Sequence, residues 1–356
     1  MVSERAAPAA RVTGIGQAVP APYDQRAVWE AYFAGHYAGV PAAERIFTGS
    51  GVRTRHAVAN PVHEDVSRWG TRARMQRYLA EALPLGKDAV AAALTDAGVD
   101  AGDVGLFAVA SCTGYVTPGI DIRLARDLGM AVDVQRLLVG HMGCYAAIPG
   151  LGAVSDFAAA RGRPAVLLCL ELPTLHIQPP TDEVDQVVAH ALFADAAAAL
   201  VVQPAAGVRP VGYAVLDVVA RTDVSTAEYM TWDVTDAGFR MGLSPRVPAV
   251  LARHVRDVVY GLLDRNGVTV SDVDGWAVHP GGRRILEVVE RRLELPPGAL
   301  DASYAVLRDF GNCSSATVLL VLARLRAAAA VPPRRHAVAM AFGPGLTLYA
   351  ALLQAT

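Results

Sequence analysis

The 356 residues carry 32 Lys+Arg against 34 Asp+Glu, a formal net charge of −2, and 53% of them are hydrophobic. That is the make-up of a globular chain long enough for one large core or two fused ones. The near-neutral, scattered charge argues against a nucleic-acid surface, and no apolar run reaches the roughly 18 residues of a membrane span.

The first segment, MVSERAAPAARVTGIG, lacks the apolar centre of a signal peptide, so a cytoplasmic protein is expected. KDAVAAALTDAG reads as a helix that begins near Lys87, the one lysine in the chain. No Gly-rich phosphate loop surrounds Lys87, which argues against a P-loop or Schiff-base role. LFAVASC then reads as a buried strand, and LLVG as the end of another. LGAVSDFAAARG reads as a helix, and AVLLCLEL and AAAALVV as strands. VPAVLARHVRDVVYGLLDRNG is a helix, GWAVHP a strand, SSATVLLVLARLRAAAA a helix, and HAVAMAF and LTLYAALL strands. Alternation of this kind predicts an α/β fold with sheets covered by helices. Cys112, Cys144, Cys169 and Cys313 form no CxxC pair and read as free thiols.

The chain also repeats itself. A shift of 169 carries Ala108-Val109 onto Ala277-Val278 and Cys144 onto Cys313. Two similar halves are expected, 1–205 and 206–356, with PAAGVRPVG at 204–212 as the joint.

Cys144, in LLVGHMGCYAAIPG, stands where an apolar strand ends and a helix begins. Free N–H groups there favour a thiolate, although a buried cysteine is more often simple packing. Cys169, inside AVLLCLEL, fits that plainer reading. His279 follows a strand and precedes Pro-Gly-Gly, a setting for a structural hydrogen bond or for catalysis. His190, in AHALFADA, reads as structural or pocket-lining. Asn312, in DFGNCSSA, is either a helix cap or an oxyanion donor. The repeat places it level with Cys144. AFGPGLTLY, with Gly345, is a tight turn that would shape a pocket wall. A thiol, an imidazole and a carboxamide together suit acyl transfer through a thioester.

MGCYAAIPGL, WAVHPGGRRILEVVERRLEL, LRDFGNCSSATVLLVL and AFGPGLTLY, in that order, resemble type III polyketide synthases, the chalcone synthase-like enzymes of the thiolase superfamily. The likeness runs from about residue 11 to 353. It implies the thiolase fold, two pseudo-symmetric α/β halves in a five-layered αβαβα arrangement, and a homodimer. Cys144 would carry the acyl group of an acyl-CoA starter. His279 and Asn312 would hold the enolate formed as malonyl-CoA loses CO₂, and repeated condensation would give a product that cyclises. Thiolate formation beside His279 would be stabilised as an ion pair. No metal or redox cofactor is implied.

The resemblance also makes Phe193 the aromatic gatekeeper, with Met241 in place of a second aromatic. His176 falls roughly where plant relatives have a cavity threonine. Cys112 and Thr113 would line the cavity, and Thr117 falls where a residue of the partner subunit reaches across the dimer. Arg45 remains of three basic residues expected to meet CoA phosphates; its counterparts are Ala and Gly. Arg283 and Arg284 would compensate as phosphate ligands, unless they are solvated surface. Delivery by an acyl-carrier protein is the alternative. Two further readings remain open: a ketosynthase-III-like condensing enzyme without iterative extension, and a degenerate paralogue acting as a dimeric scaffold.

Overall fold

The computed structural model describes residues 10–206 and 212–356. Most of the expected joint, 207–211, lies outside the described residues. Nine strands form the main sheet: β1 (Ala10–Ala18), β2 (Leu106–Ser111), β3 (Gln135–Gly140), β4 (Ala165–Glu171), β5 (Ala196–Pro204), β6 (Tyr213–Thr222), β7 (Val273–Val278), β8 (His336–Gly343) and β9 (Thr347–Ala355). Their order is β7-β8-β9-β6-β1-β5-β4-β2-β3. The sequence turns back on itself about the β6–β1 seam, where only Arg11 and Val12 pair with Ala214 and Tyr213. On one side β1, β5, β4 and β2 follow outward, and on the other β6, β9, β8 and β7. The repeat of 169 thus appears as mirrored strand order, with β2 matching β7.

The helices explain the layering. α3 (Ala147–Arg161) and α8 (Ala316–Ala327) each pack on strands of both half-sheets and on one another. Their sequences are apolar on nearly every face, as a helix sandwiched between sheets requires. α1 (Thr71–Ala97) and α2 (Ile120–Leu128) cover the outer face of the first half. α5 (Val247–Arg265) and α6 (Arg283–Leu293) cover that of the second. Three apolar cores follow: one around Leu151 and Leu320 between the sheets, one under α1, and one under α5. The result is the αβαβα arrangement. β4 is buried along its whole length, as a strand covered on both faces must be.

One reading of the sequence needs correction. Lys87 lies in the interior of α1, not at a helix start. That helix gains its first turns from TRARMQRYLAEA, a segment too polar to register as a core helix by periodicity, and it runs through Pro84.

Candidate active site

Three strand ends converge. Cys112 follows β2, Cys144 follows β3 by four residues, and His279 follows β7 directly. Parallel strands leave their carboxyl ends open to a crevice, because the helices that return the chain begin there. Cys144 sits in a 3₁₀ turn, Gly143–Tyr145, just ahead of α3. The turn is built by close approach. Gly143 has φ +74°, and a Cβ on it would lie 2.7 Å from Pro344 Cδ. The Gly-Pro-Gly turn that follows β8 is therefore seated directly on the cysteine turn. Pro344 forms the wall of the chamber at Cys144, whereas Gly345 is not among the residues that line this chamber or the large cavity. Gly345 instead supplies the positive φ, +73°, that the turn needs.

Asn312 arrives between α7 (Asp301–Phe310) and α8. Its backbone N–H donates to the Leu192 carbonyl at 2.8 Å, at the end of α4 (Val184–Leu192). Its carbonyl accepts from the N–H of Ala194 at 3.0 Å, so Asn312 and Phe193 pair like neighbouring strands. The Asn312 Oδ1 accepts from the Ser314 N–H at 2.9 Å, which leaves its NH₂ for the cavity. His279 is fully buried, donates its backbone N–H to the Met340 carbonyl at 2.8 Å, and stands edge-on to Phe342. Among the described residues neither of its ring nitrogens has a hydrogen-bond partner.

Cys144, His279 and Asn312 line one cavity of about 680 Å³. Its walls include Phe193, Met241, Met230, Leu243 and Phe342, and its mouth includes Arg45, Arg283 and Arg284. Arg283 is engaged with Glu287 at 3.0 Å, while Arg45 and Arg284 are exposed.

The electrostatics differ from the ion pair expected of the sequence. Burial pushes the Cys144 thiol up to about 12, and hydrogen bonds with Ser314 and Asn312 only partly counter it. Burial holds His279 down to about 3. The resting pair is a thiol and a neutral imidazole. The first turn of α3 does not offset the removal of both groups from water.

Two small chambers lie behind Phe193 and Met241, each of about 20 Å³. The first contains Cys112, Thr113 and Cys144. The second contains His176 and His190. Both nitrogens of His176 are committed: Nε2 donates to the Thr113 carbonyl at 2.7 Å, and Nδ1 accepts from the Phe239 N–H at 2.9 Å. Burial holds it neutral, at about 3. His190 is bonded to the Tyr37 hydroxyl at 2.5 Å. Thr117 is exposed and is not among the residues that line the large cavity or the two small chambers of the single chain.

Two residues went unread in the sequence. Trp232, from the hairpin Met230–Thr235 and Gly238–Leu243, walls both small chambers, and its indole N–H donates to the Cys112 carbonyl at 2.8 Å. No local pattern marks it. Glu171 is fully buried and accepts from Ser315 Oγ at 2.6 Å, Thr113 Oγ1 at 2.8 Å and the Cys112 N–H at 3.0 Å. Burial raises it to about 7. A lone carboxylate inside the apolar run AVLLCLEL was a legible signal.

The family models for the chalcone and stilbene synthases match residues 1–206 with the N-terminal domain and 212–356 with the C-terminal domain. The chain belongs to the chalcone and stilbene synthase family. It is 36% identical over 318 residues to a 1,3,6,8-tetrahydroxynaphthalene synthase of Streptomyces peucetius subsp. caesius, covering 87% of this chain and 82% of that protein. It is 32% identical to the alpha-pyrone synthesis polyketide synthase-like Pks18 of Mycobacterium tuberculosis, covering 85% of this chain and 80% of Pks18. PKS-I from the brown alga Ectocarpus siliculosus superposes with a TM-score of 0.91 at 28% identity, over 99% of this chain and 100% of that one. The tetrahydroxynaphthalene synthase of Streptomyces coelicolor, a bacterial type III polyketide synthase, superposes with a TM-score of 0.90 at 28% identity, over 97% and 99% of the two chains. This chalcone synthase-like chain therefore has the thiolase fold and is an acyltransferase of the type III polyketide synthase class.

Proposed function

We propose that the chain loads an acyl group from a CoA thioester onto Cys144 and extends it with malonyl-CoA. The convergence of Cys144, His279 and Asn312 on one cavity carries this reading. The Cys144 sulfur attacks the starter carbonyl, the bond to CoA breaks, and CoA leaves as its thiol with the proton that Cys144 gives up. His279, with both nitrogens unpartnered, relays that proton once the thioester is bound. Malonyl-CoA then loses CO₂, and the freed electron pair becomes an enolate whose oxygen accepts from His279 and from the Asn312 NH₂. Neutral donors suit this task, since an acid at that place would quench the carbanion. The enolate carbon attacks the Cys144 thioester and releases the sulfur for another round. Cyclisation gives a pyrone or phenolic product. The electrons for the new carbon–carbon bond come from decarboxylation, so the reaction calls for no metal or redox cofactor.

CoA, rather than a carrier protein, is the proposed carrier, with Arg45 and Arg284 at the mouth as phosphate partners. The proposed assembly is a homodimer through β3. This edge strand exposes Leu137 and Leu138 at 39% and 52%, and Thr117 would reach the partner's cavity from this side. A cytoplasmic location accords with four free, buried cysteines. Among the described residues no helix is long and apolar enough to cross a membrane.

Incubation with a panel of acyl-CoA thioesters, then mass analysis of the peptide bearing Cys144, tests loading. The expected adduct is absent from Cys144→Ala. Carboxyl-labelled malonyl-CoA tests extension: no CO₂ release and no chain growth would remove the reading.

A further inference from the structure

Two side chains stand between the three spaces of the site. Phe193 and Met241 each line the large cavity and both small chambers. They are held in unlike ways. Phe193 directly follows α4, donates its backbone N–H to the Ala189 carbonyl at 2.9 Å, and its own carbonyl accepts from Arg55 at 3.0 Å. Its pairing with Asn312 fixes it from a third side. Met241 lies on the second strand of the hairpin and is 7% exposed. Its side chain is unbranched and adaptable, so its place is decided by its backbone.

That backbone runs along an edge of a two-stranded ribbon, where alternate residues turn their N–H and C=O groups away from the ladder. Phe239 and Met241, two residues apart, both do so. The Phe239 N–H donates to His176 Nδ1 at 2.9 Å, and its carbonyl accepts from Gln178 Nε2 at 3.1 Å. The Met241 carbonyl accepts from Gln186 Nε2 at 2.6 Å. Side chains thus stand in for a third strand at this edge. Gln186 is 1% exposed, and loss of its amide leaves a buried carbonyl that the strand can re-satisfy only by moving. Glu183, which precedes α4, also pairs with Arg240, but that ion pair is exposed and holds weakly. Gln186 sits in the first turn of α4 and Phe193 follows its last, so one helix sets the spacing of Phe193 and Met241.

We propose that Gln186 is a positioning residue that fixes the passage between the large cavity and the chambers, and thereby the length of acyl starter the site accepts. This inference rests on the acyl chemistry proposed above. Gln186 acts through Met241. With the bond in place, the Met241 backbone is tied to α4 beside Phe193, and the chambers beyond keep about 20 Å³ each. Without it, the strand end withdraws and a longer chain passes.

The test measures kcat/KM of the full-length protein for straight-chain acyl-CoA starters from acetyl to dodecanoyl, with malonyl-CoA as extender, and reads the ratio of long to short. A merely structural defect lowers the active fraction, which scales every starter alike and leaves the ratio where it was. Gln186→Leu, similar in volume but without a donor, should raise the ratio roughly two- to tenfold, the discrimination that one hydrogen bond supplies. Gln186→Asn, whose amide falls a methylene short of the Met241 carbonyl, should do the same and decides the matter should Gln186→Leu not fold. Met241→Ala should also raise the ratio. Adding Gln186→Leu to it should change nothing further, because the side chain through which the amide acts is already gone. A ratio unchanged or lowered in the Gln186 variants overturns the proposal, and so does a full further rise in the double variant. An unaltered protein that takes up no starter at all removes the acyl reading itself, and this proposal with it, before any variant is compared.

Discussion

At the scale of single residues, reactivity here is a matter of access as much as of acidity. Burial raises the thiols of Cys144 and Cys169 alike, but Cys144 borders the large cavity while Cys169 is sealed inside β4. Iodoacetamide at neutral pH should therefore modify Cys144 first; equal rates, read by peptide mass, would contradict the cavity's course. Trp232 sets a different limit. Its indole stands between two chambers of about 20 Å³ each, edge-on to His176 at 5.5 Å. Trp232→Gly should merge them and shift products upward by one or more two-carbon units in mass spectra. The same change should lower stability by roughly 3–5 kcal/mol, the usual cost of emptying a large aromatic site. An unchanged product mass would show that the chain never enters that space.

Elements position these residues through turns and edges. Gly143 is the hinge of the cysteine turn, with a left-handed backbone and Pro344 pressed against it. Gly143→Ala should cost roughly 1–3 kcal/mol in urea unfolding, by strain and overlap together. It should also lower kcat more than KM, because Cys144 moves relative to Asn312. The edge strand β3 carries the second prediction at this scale. Leu138→Arg should convert a dimer to a monomer in light scattering, since a buried charge would face its own copy across the seam. A dimer that survives this change uses another face.

For the whole molecule, buried titratable groups pull in opposite directions. His176, His190 and His279 are held neutral, below their ordinary value of 6.5. Unfolding lets them take up protons below pH 6.5, so their share of stability falls as pH falls. Glu171 and Asp195 are raised to about 7 from 4.5 and 3.8, so the folded state holds their protons and their share rises as pH falls toward 4.5. Between pH 5 and 6.5 the two sets largely cancel. Below about 4 the unfolded carboxyls are protonated as well, and the histidines decide together with the paired carboxyls held below their ordinary value, such as Asp217 beside Arg265 and Asp309 beside Arg308. The urea midpoint should stay nearly level from pH 6.5 to 5 and drop steeply below 4. A steep loss already at pH 6 would mean that the two carboxyls are ionised in the folded protein.

The sequence by itself determined the strands of the sheet and singled out Cys144, His279 and Asn312, the three side chains that meet in one cavity. Strand periodicity, glycine punctuation and a repeat of 169 are local or one-dimensional signals, and the Cys144, His279 and Asn312 motifs are contiguous in the chain. Only the tertiary structure decided the charge state of Cys144, because desolvation depends on what packs around the thiol and not on its neighbours in sequence. The same holds for Trp232, Glu171 and Arg55. Each faces residues 58 to 138 positions away in its hydrogen bonds to Cys112, Thr113 and Phe193, and no local pattern encodes a partner at that distance.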